Sequence, residues 1–381
     1  VPLSRPLHIV VLNYRDMTHP EAGGAEVYLQ AIFARIAAQG HHVTFVCAGH
    51  TGAPAQDRLD GVRILRVGNQ ATVNMAAAVA ALRLARREGV DVFVESLCKL
   101  PFLLPVFTKI PVLPVVLHLF GHTVFYETNP LLASYVWLFE KLIPPVYRGL
   151  PFVALSASTA SDIRRRGVRA SRLDIIPPGL DLQRYAANAG TPSSSPLLVY
   201  VGRLKHYKGI DIVLRALAQV RETVPGVRLA VVGRGDDRTR LERLVCRLRL
   251  EDAVSFEGYV GEETKIQWLR QAWALVYPSP REGWGMSTVE AAACGTPVLA
   301  SDAEGLRDAV REGSTGFLIS HADVNAWAQR MAQILTDGQL RARMATAARQ
   351  WAHQFDWDVR AEQMRTIVEQ VGAGRSRRNG A

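Results

Sequence analysis

Short runs of β-branched and apolar residues alternate with longer segments of helical spacing from one end of this chain to the other. The predicted strands of the first half are residues 9–14, 42–48, 62–67, 90–95, 111–118 and 152–156. Those of the second half are residues 197–201, 227–232, 254–256, 274–277, 297–300 and 317–319. Such alternation is typical of parallel sheets whose strands are connected by crossover helices. The sequence therefore predicts the α/β class.

A run of proline and serine, TPSSSP at residues 191–196, separates the two series of strands. Because such a run neither packs nor continues a hydrogen-bonded ladder, we interpret it as a linker. The chain has 381 residues, more than one domain of ~100–200 residues requires. We expect two doubly wound, Rossmann-like parallel-sheet domains, residues 1–188 and 196–355, that face each other across a ligand cleft. Residues 356–371 should form a helix that crosses back to the first domain, followed by a basic tail at 372–381.

The composition, 48% apolar and 21% charged, is that of a globular protein. The most apolar region, residues 131–150, is interrupted by Glu140, Lys141 and Arg148 and is therefore unsuited to span a membrane. The N-terminus has too short an apolar segment for a secretory signal, which favours a cytoplasmic location. Four well-separated cysteines without a C-x-x-C pair argue against a disulfide framework or a zinc site.

The net charge of +10 is scattered along the chain instead of being concentrated with aromatic residues, which argues against nucleic-acid binding. Two local excesses of arginine occur, at residues 164–172 and 375–378. Either these arginines are solvated surface, or they contact an anionic membrane face, where each basic residue contributes ~1 kcal/mol.

Glycine-bearing loops follow the first strand of each half. Gly23 and Gly24 precede a helix and would let a ligand approach the backbone closely, although a tight turn explains them equally well. The loop of the second half carries Arg203 and Lys208, which suit a diphosphate because arginine presents a planar fork and lysine a point charge. A surface turn is the alternative there. Neither loop has the complete G-x-G-x-x-G fingerprint of dinucleotide binding.

Residues 278–297 carry the most informative motif. A strand runs into a glycine-bearing loop and then into a helix predicted at residues 286–294. Glu282 lies in the loop and Glu290 inside the helix, so both can face a ligand over the helix N-terminus, where free amides attract phosphate. A carboxylate inside that helix would repel a phosphate, but it can accept hydrogen bonds from a vicinal diol such as that of ribose. The arrangement predicts a nucleotide-sugar site.

Glu282 and Glu290 resemble the E-x7-E signature of the family-4 retaining glycosyltransferases, which have the GT-B fold. Further segments are similar to the family in the same order, and they are Gly23-Gly24, residues 202–209, residues 176–181 and residues 302–316. His118 lies where the family places a histidine near the donor sugar. Pro178 departs from the pattern, because the family usually has asparagine there, and this change affects only the local interdomain hydrogen bonds.

The resemblance implies a role for each matching residue. Arg203 and Lys208 would bind the donor diphosphate, Glu290 the ribose diol, and Glu282 with loop amides the sugar hydroxyls. His118 would face the sugar from the first domain, unless it is a hydrogen-bonded core histidine. The implied catalytic residues are His118, Arg203, Lys208 and Glu282. The implied donor contacts, with the base near Tyr259 and Val260, are Gly23, Gly24, Arg203, Lys208, Tyr259, Val260, Glu282, Gly283, Trp284, Gly285, Met286, Ser287 and Glu290.

The resemblance also implies a UDP- or GDP-sugar donor, transfer of a hexose with retention, and no metal or other cofactor. Asp356-Trp357-Asp358 is similar to the metal-binding Asp-x-Asp of other glycosyltransferases. Aspartate is, however, favoured as a cap and in the first turn at the start of a helix, which explains this match without a metal. Arg203, Lys208 and the helix dipole can supply the positive charge that a departing diphosphate needs.

Two other functions stay open at this stage: a nucleotide-sugar epimerase of the same fold, and a non-catalytic nucleotide-sugar-binding protein. A phosphorylase would need a lysine for pyridoxal phosphate, and Lys208 lies too close to the phosphate loop for that. The acceptor would be a sugar, a lipid-linked sugar or a small molecule. The apolar, aromatic stretch at 120–150 has basic ends. It is either a pocket for such an acceptor, a patch that contacts the inner face of the membrane, or a core helix.

Overall fold

The computed structural model describes residues 5–98, 100–126, 129–186 and 191–378. The strands are β1 (His8–Leu12), β2 (His42–Cys47), β3 (Gln56–Leu59), β4 (Val62–Arg66), β5 (Val92–Leu97), β6 (Val112–Val116), β7 (Pro151–Ala154), β8 (Arg172–Ile175), β9 (Leu197–Val201), β10 (Arg228–Val232), β11 (Val254–Gly258), β12 (Ala274–Tyr277), β13 (Val298–Ser301) and β14 (Gly316–Ile319).

The α-helices are α1 (Gly24–Ala38), α2 (Val73–Arg87), α3 (Leu104–Phe107), α4 (Pro130–Glu140), α5 (Ile143–Val146), α6 (Ala157–Arg165), α7 (Leu182–Ala186), α8 (Ile210–Thr223), α9 (Arg238–Leu248), α10 (Glu262–Gln271), α11 (Met286–Ala293), α12 (Leu306–Ala309), α13 (Val324–Thr336), α14 (Gly338–Ala352) and α15 (Trp357–Arg378). Two short 3₁₀ helices lie at Gly121–Tyr126 and His206–Lys208. Among the described residues, no helix is both long enough and apolar enough to cross a membrane.

Two sheets organise these elements. The first has the strand order β3-β4-β2-β1-β5-β6-β7-β8, and the second has the order β11-β10-β9-β12-β13-β14. All pairs are parallel except β3 with β4. The central strands are buried along their whole length, as the continuous apolar runs predict for sheets covered by helices on both faces. The predicted α/β class with two doubly wound parallel sheets is confirmed.

All twelve predicted strands are present, and two further strands were missed. Strand β3 has the sequence QDRL and is largely exposed, and β8 has the sequence RLDI and is at most half-buried. Both are edge strands of the first sheet. An exposed edge needs no apolar face, so these strands carry neither the alternating nor the continuous apolar pattern on which the prediction depends.

The chain divides into two compact units. Residues up to Gly179, together with those from Trp357 onward, form the first unit, and Leu180–Asp356 form the second. The chain therefore enters the second unit before the predicted boundary at residue 188, which lies outside the described residues. The predicted linker at 191–196 is part of the second unit, because Ser193 donates its amide to Gln271 O at 2.9 Å and accepts at its carbonyl from Trp273 Nε1 at 2.8 Å.

The second unit begins and ends at one place. The Leu180 amide donates to Phe355 O at 2.8 Å, and Leu180 forms an isolated parallel bridge with Asp356. The two segments that connect this unit to the rest of the chain are thus neighbours within it.

Helix α15 belongs to the first unit and packs against α1. Arg35 Nε contacts Asp358 Oδ1 at 2.5 Å, and the rings of Tyr28 and Trp357 lie 6.2 Å apart. A Cβ at Gly179 would lie 2.6 Å from the Trp357 Cα, so this contact requires glycine. The helix extends to Arg378, so the backbone of residues 372–378, which the sequence predicted as a tail, is helical. Residues 379–381 of that tail lie outside the described part of the chain.

Candidate functional site

The predicted site residues of the second unit lie beyond the carboxyl ends of β9, β11 and β12. Strand β9 comes first in the unit, with β10 on one side and β12 on the other. The chain therefore adds β10 and β11 on one side of β9 and then returns to add β12 on the other side, and in open α/β sheets such a switch point forms a crevice for ligands.

The loop after β9 is held tightly against the loop after β10. Leu204 donates its amide to Arg234 O at 2.9 Å and accepts at its carbonyl from the Asp237 amide at 3.1 Å. A Cβ at Gly235 would lie 1.9 Å from Leu204 O, so only glycine fits there. The string Gly233-Arg234-Gly235 thus serves backbone packing, which fixes the loop that carries Arg203 and Lys208.

Lys208 and Glu282 form a direct ion pair. The Lys208 Nζ donates to Glu282 Oε1, and the two side chains are only 6% and 15% exposed. The Lys208 Nζ also lies 5.1 Å from the ring centre of Tyr207 and 5.7 Å from that of Tyr277. Burial, followed by the negative charge of Glu282, holds the pKa of Tyr277 well above its usual value. The structure thus joins two predicted site residues that are far apart in sequence.

Arg203 lies at the surface of the same loop. Its Nη2 donates to the Tyr207 hydroxyl at 3.1 Å, and its carbonyl accepts from the Tyr200 hydroxyl at 2.9 Å. The Tyr200 ring in turn stacks on Tyr277 at 6.0 Å. Arg203 and Lys208 are therefore linked through one cluster of tyrosines, with Arg203 exposed and Lys208 buried.

The loop before α11 places glycines where side chains would collide. Gly285 has φ of +89°, and a Cβ there would lie 2.6 Å from Leu306 Cδ2, whereas one at Gly305 would lie 2.2 Å from Glu282 O. Trp284 is buried with its ring 5.4 Å from that of Phe355. The predicted donor contacts Gly283, Met286 and Ser287 therefore lie at or just before the N-terminus of α11. The first-turn amides of a helix point away from its body at this end, here toward the crevice.

Glu290 lies in a charged network that the sequence did not predict. Lys265 Nζ contacts Glu290 Oε2 at 3.0 Å and Glu262 Oε1 at 3.0 Å, and the Tyr185 hydroxyl donates to Glu262. Burial raises the pKa of Glu290, while Lys265 acts in the opposite direction. Although burial opposes its charge, the pKa of Lys265 is raised because Glu290 and Glu262 both face it. Lys265 lies on α10 and Glu290 on α11, so only the tertiary fold brings them together.

His321 is a second residue that sequence reasoning missed. Its Nδ1 lies 3.2 Å from Ser301 Oγ, and burial lowers its pKa. A Cβ at Gly209, which has φ of +69°, would lie 2.7 Å from His321 Cε1 and 2.7 Å from Pro278 O. His321 therefore supports the turn that follows Lys208. A lone histidine after β14 carries no local signal for this contact.

Tyr259 and Val260 follow β11, as predicted for the base contact. Tyr259 is 74% exposed, and Arg234 Cζ lies 5.1 Å from its ring centre. The Gly258 carbonyl accepts from the Gly233 amide at 2.7 Å, which fixes this segment beside the loop after β10.

In the first unit, His118 follows the end of β6 and is half-buried, with its ring 5.1 Å from that of Phe120 in an edge-to-face arrangement. The Gly23 amide donates to Glu26 Oε2 at 2.8 Å, and Gly24 begins α1. Among the described residues, a Cβ at Gly23 would have that carboxylate as its one neighbour within 4 Å, at 3.8 Å, so there is space beside the backbone at this turn.

The first unit also has an open cavity of about 520 Å³, lined by His19, Pro20, Gly49, His50, Thr51, Asn69, Gln70 and Ala71. It lies beyond the carboxyl ends of β1, β2 and β4. Gln70 Nε2 lies 3.0 Å from His19 Nε2, and Arg15 Nη2 donates to Gln70 Oε1 at 3.1 Å. Burial, followed by the charge of Arg15, lowers the pKa of His19. The lining surface is mainly apolar, and it carries the polar groups of His19, His50, Asn69 and Gln70.

Among the described residues, no group of three histidine, cysteine, aspartate or glutamate side chains is placed to hold a metal ion. Asp358 instead contacts Arg35 at 2.5 Å.

Two family models match consecutive parts of the chain. Residues 22–184 match the model described as Glycosyltransferase Family 4, and residues 183–351 match the one described as Glycosyl transferases group 1. The boundary between the two matches falls close to the boundary between the two compact units.

Curated relatives with sequence similarity include D-inositol 3-phosphate glycosyltransferases. The protein from Xylanimonas cellulosilytica is 32% identical over 240 residues, which cover 57% of this chain and 57% of the relative. The protein from Streptomyces scabiei is 34% identical over 229 residues, covering 54% and 51%. The chain thus spans about half the length of the curated relatives it matches.

Solved structures share the fold over nearly the whole chain. Sucrose-phosphate synthase from Thermosynechococcus elongatus has a TM-score of 0.82 at 24% identity, covering 97% of this chain and 100% of that one. HepE from Anabaena, solved in complex with UDP and glucose, has a TM-score of 0.75 at 20% identity, covering 96% and 100%. These similarities show the two-domain architecture of this chain.

Proposed function

We propose that this chain, which belongs to the family-4 glycosyltransferases of GT-B fold, transfers a sugar from a nucleoside-diphosphate sugar to an acceptor hydroxyl. The observation that carries the proposal is the pairing of Lys208 with Glu282 beside the N-terminus of α11, at the switch point of the second sheet. A buried cation, a carboxylate and the N-terminal end of a helix then meet at one place, which suits a ligand that carries both phosphates and hydroxyls.

The departing nucleoside diphosphate gains negative charge as the glycosidic bond breaks. Lys208 has three N–H donors, so it can keep its bond to Glu282 and still donate to a phosphate oxygen. Arg203 is exposed on the same loop and can turn its guanidinium toward the second phosphate. With the amides of α11 these groups stabilise the leaving group, and loss of one such preorganised donor typically costs about 3–4 kcal/mol in the barrier.

Glu290 would bind the ribose. A carboxylate offers about four lone-pair positions, so a bond to Lys265 leaves positions for the two hydroxyls of a diol. Lys265 also offsets the cost of keeping this buried carboxylate ionised. The base would lie near Tyr259 and Val260, and we take UDP as the first nucleotide to test because HepE was solved with it.

We also propose a stereochemical course, metal independence and an acceptor site for the reaction. The transfer would proceed with retention and without a metal, and His118 would act at the sugar. The cavity around Gln70 would hold the acceptor, and an inositol phosphate is the first acceptor to test because the curated relatives are named for it.

Calorimetric titration of UDP and GDP into the wild type and Glu290→Ala tests the donor site. We expect Glu290→Ala to weaken nucleotide binding by at least about ten-fold, since a hydrogen bond to a charged group contributes about 1.5–3 kcal/mol. Glu263→Ala, on the exposed side of α10, is the matched control and should bind as the wild type does. Equal affinity of Glu290→Ala and the wild type would refute the ribose assignment.

Turnover is tested separately by the release of nucleoside diphosphate from UDP- and GDP-sugars, with and without acceptor. Release that depends on the acceptor, together with a glycosylated product, supports transfer. Binding of a nucleotide-sugar without turnover in the presence of any acceptor tested would instead support a non-catalytic binding protein. Recovery of an epimerised donor would support an epimerase.

A further inference from the structure

Helix α4 exposes its apolar side. Between Asn129, which caps the helix, and Glu140 at its end, the sequence PLLASYVWLF contains no charged residue. Leu131 is 86% exposed, Leu138 57% and Tyr135 46%, and Leu142 just beyond the helix is 36% exposed. These residues recur at three- and four-residue spacing and therefore form one stripe. A helix on the surface of a globular protein normally turns such a stripe inward.

The exposed apolar residues of the described chain are concentrated in this region. Thirteen large apolar side chains are exposed, and eight of them lie between residues 106 and 142. They are Val106, Phe107, Phe125, Leu131, Leu132, Tyr135, Leu138 and Leu142. The segment after β5 is joined to this region, because the Leu103 amide donates to the Tyr147 hydroxyl at 3.0 Å. We call the stripe formed by Leu131, Leu132, Tyr135, Leu138 and Leu142 the α4 patch.

Basic side chains border one end of the α4 patch. Exposed cations here are Lys141, Arg148, Arg164, Arg165 and Arg169, which we call the basic rim. Arg166 Nη1 bonds Glu140 at 2.9 Å and so joins the end of α6 to the end of α4, while the Gly149 amide donates to Arg169 O at 2.7 Å.

The described acidic groups of this region lie closer to Arg166 than to the basic rim. In the described residues from 104 to 169 they are Glu140 and Asp162. Glu140 is buried, and besides Arg166 it accepts from the amides of Phe120 and Gly121. Asp162 bonds Arg166 at 2.9 Å and reaches Arg165 only at 3.7 Å. The exposed side chains that the structure describes in the α4 patch and the basic rim are therefore apolar and basic.

We propose that the α4 patch and the basic rim dock this protein on the surface of an anionic lipid bilayer. An apolar helix face beside a row of cations matches acyl chains beneath anionic headgroups. Trp137 and Tyr135 suit the headgroup level of a bilayer, because their apolar rings can face the acyl chains while their polar atoms face water. Lys141 Nζ lies 3.6 Å from the Trp137 ring centre, so a basic group accompanies this ring.

A second copy of the chain fits the same surface less well. In a twofold dimer the patch of one copy would meet the same patch of the other, so each basic rim would face either the other rim or apolar side chains, and no anionic group of the patch would compensate it. Like charges at such an interface oppose association. The docking proposal does not depend on the proposed transfer reaction, because lipid binding is measured without donor or acceptor.

Flotation of the full chain with vesicles tests the proposal. We expect binding to vesicles of phosphatidylglycerol, weaker binding to vesicles of phosphatidylcholine, and loss of the difference at high salt. Leu138→Asp should weaken binding by at least about ten-fold, since an apolar side chain would no longer enter the bilayer. Val359→Asp replaces a side chain that is 51% exposed on α15, and it is the matched control that should bind normally.

A second variant keeps the test valid if Leu138→Asp folds poorly. Lys141→Gln with Arg148→Gln leaves the apolar stripe intact and should weaken binding to phosphatidylglycerol about five-fold for each charge removed. Thermal unfolding and UDP titration show whether each variant is folded. The proposal is overturned if the wild type does not float, or if all variants float equally. It is also overturned if sedimentation shows that the patch instead holds a dimer which Leu138→Asp dissociates.

Discussion

Replacing Lys265 by methionine removes the cation that faces both Glu290 and Glu262 while keeping a side chain of similar length. Lys265 lies 3.0 Å from each carboxylate, and the exposed fractions of Lys265 and Glu290 are 17% and 10%. The variant leaves two carboxylates close together with no cation between them. We therefore expect a loss both of stability and of nucleotide binding.

The magnitude follows from the burial of the pair. Removing one partner of a buried ion pair costs about 3–5 kcal/mol, because the other charge stays buried without compensation. Glu262 is 38% exposed and can turn toward water, so the lower end of this range applies. We expect the free energy of unfolding to fall by about 3 kcal/mol near pH 8.

The loss should depend on pH in a defined direction. Burial already raises the pKa of Glu290 above its ordinary value of 4.5, and loss of Lys265 raises it further. A carboxyl group whose pKa is raised by folding stabilises the protein in its protonated form, and this contribution disappears as the pH rises through the folded pKa. Tyr185, Cys294 and Glu262 are the other titratable groups near Glu290. The difference between variant and wild type should thus shrink to below about 1 kcal/mol near pH 5.

Urea unfolding of both proteins between these pH values measures the effect. The double variant Lys265→Met, Glu290→Gln is the control, because removing both charges should restore most of the stability without restoring UDP affinity. A loss of stability that is the same at every pH would show that Lys265 acts through packing alone. Unchanged UDP affinity in Lys265→Met would show that it does not position Glu290 for the ribose.

Four further predictions follow from the site. Transfer should continue in the presence of a strong chelator. Activity that stops with the chelator and recovers with added manganese or magnesium would instead support a metal site at Asp356 and Asp358. His118→Ala should lower turnover far more than UDP affinity, whereas equal losses would contradict a role at the sugar. Gly209→Ala should destabilise the protein by at least about 2 kcal/mol, because both its φ and the Pro278 carbonyl oppose a Cβ, while Gly40→Ala, with φ of +98° but open space, is the control and should cost less. Gln70→Ala should raise the KM for the acceptor and leave that for the donor unchanged; the reverse result would place the acceptor elsewhere.

Much of the fold could be predicted because the sequence patterns that indicate its central strands and its helices are local. Each central strand is a short apolar run, and the helix after the Glu282 loop ends at a glycine, so both can be recognised without knowledge of the partner strands. The edge strands β3 and β8 lacked this signal. The boundary between the units was placed too late, because the TPSSSP run resembles a linker in composition and yet is bonded into the second unit.

The predicted site residues could be selected from their positions after strands and before helices. The side chains that contact these site residues could not be predicted, because they lie on other helices and strands. Lys265 reaches Glu290 from a neighbouring helix, and His321 reaches the turn after Lys208 from beyond β14. The contact between Lys208 and Glu282 also needed the structure, since the sequence assigned one to phosphate and the other to sugar without bringing them together.

The adjacency of Leu180 and Asp356 makes the second unit an insertion into the first. During synthesis the ribosome completes residues 180–356 while the first unit still lacks α15, the helix that packs on α1. Domains generally fold as units when their chain is complete. The second unit can therefore complete all its native contacts before the first unit does, although its sequence lies between the two segments of the first unit.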